Sequence, residues 1–194
     1  MSGKTQLVKN FIYNANKIIV PPPKKIVISY TEDQQIYDEL QLNVDNVQLV
    51  KGLTFEISDF TSSEPTLLVI DDQMKDIVKC NKMQELFTRG VHHRSVSVII
   101  LQQNIFPQGR HGRDIRLNSH YIAIMKSPTF LSQVNCLGRQ IFPNHPSFLS
   151  SAYKKATTAP YSHLFLNLHP LCDDKVRVSE GILENDKRVI YIPE

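Results

Sequence analysis

Residues 67–72 read Leu67-Leu68-Val69-Ile70-Asp71-Asp72, four consecutive apolar side chains closed by two acids. A run this short, without polar alternation, predicts a strand buried on both faces of a parallel sheet, with the carboxylates at its carboxyl end. Similar runs lie on either side: residues 26–30 (IVISY), 96–101 (VSVIIL) and 121–125 (YIAIM). Between them the apolar spacing turns helical. Leu7, Val8, Phe11, Ile12 and Ala15 predict a helix over residues 5–18, ended by Pro21, Pro22 and Pro23. Ile36, Tyr37 and Leu40 predict a second, with Thr31-Glu32-Asp33 where its cap belongs, and residues 73–87 a third. Strands that alternate with helices give an α/β fold, a mostly parallel central sheet flanked by helices.

The remaining segments are less sharply marked. Residues 47–50 and 55–57 are weaker strand candidates around Gly52, and residues 58–65 have the composition of a surface connection. Helical stretches are expected over 130–137 and 148–155, separated by Pro143 and Pro146. Residues 163–168 alternate like a late strand, and residues 189–192 read as an edge strand or a loose extension. No internal repeat is present.

A chain of 194 residues, 41% hydrophobic and 21% charged, reads as one globular domain, 1–194. The net charge of +3 leaves nucleic-acid binding open. Cys80, Cys136 and Cys172 are too few and too dispersed for a disulfide scaffold or a structural zinc site. The amino terminus lacks the apolar core of an export signal, and no apolar run approaches the roughly 20 residues of a membrane helix. A soluble, intracellular, non-secreted protein without a membrane partner is expected.

Four groups of residues carry chemistry. Ser2-Gly3-Lys4-Thr5 matches the end of G-x-x-x-x-G-K-[ST], in which backbone N–H groups cradle phosphates, the lysine reaches the β and γ oxygens and the hydroxyl holds Mg²⁺. The first glycine of the motif and the strand that leads into it do not precede Ser2, so the domain reads as amino-terminally incomplete. Asp71 and Asp72 stand where one carboxylate binds Mg²⁺ and the next orients the attacking water; acids that merely cap a strand are the competing reading. Gln103, at the end of the 96–101 strand, falls at the same sheet edge and is suited to contact a γ-phosphate, a polar turn being its bland alternative. Arg110, Arg113 and Arg116 occupy a loop from which an arginine reaches a neighbouring subunit's site or simply meets solvent. His92, His93 and His111 have no Cys or carboxylate partners at ligand spacing and are read as ordinary polar residues. Tyr121, Phe130, Phe142 and Phe148 are read as core.

The segments SGKT, LLVIDD, HHRSVSVIILQQNIF, GRDIRLNSHYIAIMKSP and RQIFP together resemble the packaging ATPases of Maverick/Polinton elements and adintoviruses, in the poxvirus-like branch of the FtsK/HerA superfamily. The resemblance runs through most of the chain to YSHLFLNLHP and is most specific over residues 92–128. It implies a RecA-like P-loop NTPase with its first strand missing, hydrolysing ATP with Mg²⁺ to translocate double-stranded DNA into a capsid. The implied partners are DNA, further copies of the chain in a ring, and capsid portal or vertex proteins. The implied location is the host nucleus or cytoplasm, where virions assemble. By the resemblance Ser2, Gly3, Lys4 and Thr5 form the end of the phosphate loop, and Asp71 with Thr5 holds the metal. Asp72 is the catalytic acid, Gln103 the polar sensor and Arg113 the trans-acting finger. Asp72 stands where related motors often have glutamate, and Arg116 where relatives often have a small polar residue. A small nucleotide kinase and an inactive remnant or binding module of the same fold are the rival readings.

Overall fold

The computed structural model describes residues 3–87, 94–109, 111–183 and 186–193. They fall into two compact units, one formed by residues 5–118 and the other running from Ser119 onward and including Gly3 and Lys4.

The first unit is built on a parallel sheet of β1 (Lys25–Tyr30), β2 (Val47–Lys51), β3 (Thr66–Asp71) and β4 (Val96–Leu101), in the order β2-β1-β3-β4. Every residue of β3 is buried. Its side chains alternate between two cores, as a pleated strand requires. Leu67 and Val69 pack with Val8, Ile12 and Ala15 of α1 (Lys4–Tyr13) and α2 (Ala15–Ile18) and with Tyr37 and Leu40 of α3 (Gln35–Asn43). Leu68 and Ile70 face the opposite way, onto Ile77 of α4 (Met74–Ile77), Met83 of α5 (Asn81–Glu85) and Ile115 of α6 (Gly112–Leu117). Fully burying one such Leu or Ile contributes about 1.5–3 kcal/mol, so the two layers of helix are held chiefly through this strand. The expected α/β class, with a parallel sheet between helices, is therefore present in this unit.

Several local expectations differ. The helix over 5–18 breaks at Asn14, whose side-chain amide donates to the carbonyl of Asn10 at 2.9 Å and competes with the helical ladder. The second helix starts after Gln34, not at residues 31–33. Residues 55–57 form no strand; a single 3₁₀ turn, Ile57–Asp59, stands there, closed by reciprocal bonds between Glu56 and Asp59. The helix expected over 73–87 is interrupted between α4 and α5, because the carbonyl of Val78 accepts the N–H of His111 at 3.1 Å.

The second unit carries an antiparallel sheet of β5 (Tyr121–Met125), β6 (His163–Asn167), β7 (Val178–Glu180) and β8 (Val189–Tyr191), in that order. The helices α7 (Leu131–Ile141) and α8 (Phe148–Ala156) accompany it, burying Val134, Leu137, Leu149, Ala152 and Tyr153. The late strand expected from the sequence is here, and of the two readings of the tail, residues 189–191 take that of an edge strand. Tyr121 corrects its assignment to the core: it is 56% exposed, with its ring stacked on Phe165.

One buried polar chain ties three strand ends of the parallel sheet together. Gln73, just after β3, donates through Nε2 to Ser29 Oγ of β1 at 2.9 Å, and Ser29 donates to the carbonyl of Gly52 beyond β2 at 2.8 Å. Ser29 and Gln73 are both at least 98% buried. Ser29→Ala leaves an amide and a carbonyl without partners; it is expected to lower stability by about 1–3 kcal/mol in urea unfolding, and an unchanged midpoint would show the chain to be dispensable.

Candidate active site

In a parallel sheet all strands deliver their last residues to one edge, and the helices that enter from that edge begin there. At this edge β3 ends in Asp71, which is only 7% exposed. A buried carboxylate needs donors, and α3 supplies them from its start. The Tyr37 hydroxyl donates a short hydrogen bond to Asp71 Oδ2. Gln34 Nε2 lies 3.3 Å from the Tyr37 hydroxyl and 3.4 Å from Asp71 Oδ2. Burial, and then the bond to the Asp71 carboxylate, push the Tyr37 phenol far above its ordinary pKa, so it stays protonated and donating.

Asp72 takes the opposite course. Its φ of 53° is left-handed, a conformation that short acids adopt more readily than most residues, and the turn carries its side chain into solvent. There Gln103 Nε2 donates to Asp72 Oδ1 at 2.9 Å. The pairing follows from register: Asp71 is opposite Leu101, so the residues just past each strand end meet. Gln103 itself is exposed.

The amino end of α1 reaches the same edge. Thr5 shares the wall of a small cavity with Tyr37, Asp71 and Leu101, the rest being apolar side chains of α1, α3, β1 and β3. Its volume of about 10 Å³ is near the least that holds one water. Lys4 is the first residue of α1, where the N–H groups of the opening turn have no helical acceptors. Gly3, before it, has φ 80°, and an added Cβ would come within 3.1 Å of the Tyr161 ring and 3.2 Å of Met125, so the position suits glycine on both counts. Ser2, His92, His93 and Arg110 lie outside the described residues.

The structure thus brings Thr5 to Asp71 and Gln103 to Asp72. It does not join Arg113 to them: Arg113 is exposed on α6, with no hydrogen bond or ion pair to either acid among the described residues. Arg116 lies over the Phe106 ring, 4.9 Å from its centroid. His111 has the polar role expected of it, buried with Nε2 3.0 Å from Asn81 Oδ1. Tyr37 and Gln34 were not among the candidates. Tyr37 reads in sequence as one apolar position of a helical stripe, and only the β1-α3-β2 crossover reveals that the start of α3 faces the acids.

Oxygen donors from one buried carboxylate and one hydroxyl suit a hard cation that completes its shell with water and substrate phosphates, as Mg²⁺ does. Among the described residues no group of three or more His, Cys, Asp or Glu is placed to hold a metal unaided. A larger cleft lies elsewhere. It measures about 440 Å³ at the amino edge of the sheet, between Pro21, Pro65, Arg94 and Ser95.

No described helix is long and apolar enough to cross a membrane. Comparison with protein-family models, with curated proteins and with solved structures found no match to this chain.

Proposed function

We propose that the chain belongs to a RecA-like P-loop ATPase that moves double-stranded DNA, acting in a ring of identical subunits that delivers a genome to a capsid. The observation that carries the ATPase reading is that Thr5, next to Lys4 at the start of α1, and Asp71, at the end of a buried strand, line one cavity at the carboxyl edge of a parallel sheet. In this reading Lys4 neutralises charge on the β- and γ-phosphates, Thr5 and Asp71 hold the metal, and Asp72 polarises the attacking water. Mg²⁺, bound with the nucleotide, supplies charge neutralisation at the transferring phosphate. The Gln103–Asp72 bond gives the sensor a direct line to the acid that positions water. Arg113, exposed on its helix, serves a neighbouring subunit.

The handedness of the sheet supports the finer fold. α1 and α3 pack on the same face, and β1-α3-β2 steps in one direction along the sheet. By the right-handed crossover rule, a parallel strand leading into α1 steps in that same direction towards β1 and so starts from the far side, beyond β4. The β4 edge is suited to receive it: Ser97, Val98, Ile99 and Ile100 are only half-buried, whereas β3 is wholly buried, and no charge or proline guards the strand. The phosphate-loop strand of the proposed fold occupies that edge.

With such a strand fused ahead of Ser2, the chain is expected to hydrolyse ATP and to be stimulated by double-stranded DNA. Lys4→Ala and Asp71→Ala should each lower turnover by about 100-fold or more; full turnover in both variants overturns the site. A nucleotide kinase would instead respond to a phosphate acceptor and not to DNA. Gln103→Ala, which severs the bond to Asp72, should lower kcat by about 10- to 100-fold with KM for ATP little changed, measured in the same assay.

A further inference from the structure

Tyr37 lies in an unusual place for a tyrosine. Its residue is 3% exposed, its ring lies 5.1 Å from that of Tyr30, and its hydroxyl ends at a carboxylate. Tyr37 and Asp71 are 34 residues apart in sequence; the start of α3 is delivered to the acids by the β1-α3-β2 unit, and Gln34 and Tyr37 both converge on the same oxygen of Asp71.

Resting on the ATPase reading above, we propose that Tyr37 is a positioning residue for Asp71, fixing the orientation of the metal-binding carboxylate before metal and nucleotide arrive. The terminal torsion of an aspartate is broad and nearly two-fold, so a carboxylate at a strand end is not oriented by its rotamer alone. Donors that grip one oxygen remove that freedom. The apolar wall from Val8, Ile12 and Leu40 keeps bulk water from competing for the same lone pairs. The arrangement is that of an outer partner which orients a metal ligand without touching the metal, and Gln34 extends it by donating to both the phenol and the acid. A tyrosine that served only to fill the core would need its ring and not its hydroxyl.

The test uses Mn²⁺ as the probe, read by paramagnetic broadening of the Thr5 and Asp72 amide signals in the 194-residue chain as MnCl₂ is added. Tyr37→Phe keeps the ring and removes the hydroxyl; it is expected to raise the Mn²⁺ midpoint by about 10- to 100-fold. Gln34→Ala should raise it by less, and Asp71→Asn should abolish the broadening. If Asp71→Asn abolishes it while Tyr37→Phe keeps or lowers the wild-type midpoint, the positioning role is overturned and the ATPase site stands. If Asp71→Asn leaves the wild-type midpoint, or wild type shows no broadening at Thr5 and Asp72, the underlying site reading is overturned. A purely structural Tyr37 would lower the metal-free melting temperature and leave the midpoint alone. Should Tyr37→Phe lose the fold, exposed Gln34 decides, with an unchanged midpoint in Gln34→Ala overturning the proposal.

Discussion

The burial of β3 on both faces is the constraint from which the rest follows. All six of its residues are inside, in register with β1 on one side and β4 on the other. Apolar side chains satisfy that position, and a carboxylate does not unless it sits at the strand's end with donors at hand. Asp71 meets the condition through Tyr37 and Gln34. Asp72 escapes it by turning left-handed into solvent, where Gln103 meets it. Two adjacent acids thereby acquire different surroundings, one buried and held, the other exposed and paired with an amide. A metal ligand and a water-positioning acid call for that difference.

Much of this was legible in the residues. The strands β1, β3 and β4 could be read because strands of a parallel sheet covered on both faces are nearly continuous apolar runs, whereas β2, which has no fully buried residue, gave only a weak signal. The break between α4 and α5 could not be read, because it depends on a backbone bond from His111, some thirty residues away in sequence and on another element. Nor could the antiparallel pairing of β5 with β6, since an apolar run such as residues 121–125 is compatible with either direction, and β7 is only three residues long. Tyr121 was misplaced for a related reason: its neighbours Ile124 and Met125 are buried, and period-two alternation alone does not say how much of an outward-facing ring is covered.

At the candidate site, the acids and Gln103 were legible because their positions at strand ends follow from the apolar runs that precede them. Tyr37 was not, because its role is created by topology: a helix that leaves β1 on the same face as α1 brings its first turn over the end of β3. The polar chain from Gln73 through Ser29 to Gly52 arises in the same way, from strand ends that are adjacent in space and distant in sequence. Arg113 illustrates the converse. Its loop position suggested a role at a phosphate, and within its own unit it stands in solvent, apart from both acids.

The sheet offers two edges to a ligand: the carboxyl edge, with α1, the acids and Gln103, and the amino edge, with the cleft beside Arg94. Hydrogen–deuterium exchange of the 194-residue chain with and without Mg·ATP distinguishes them in one measurement. The account predicts slowed exchange at residues 4–8, 71–73 and 101–104, with residues 94–97 unchanged. Protection confined to residues 94–97, or none at the carboxyl edge at saturating nucleotide, would contradict it.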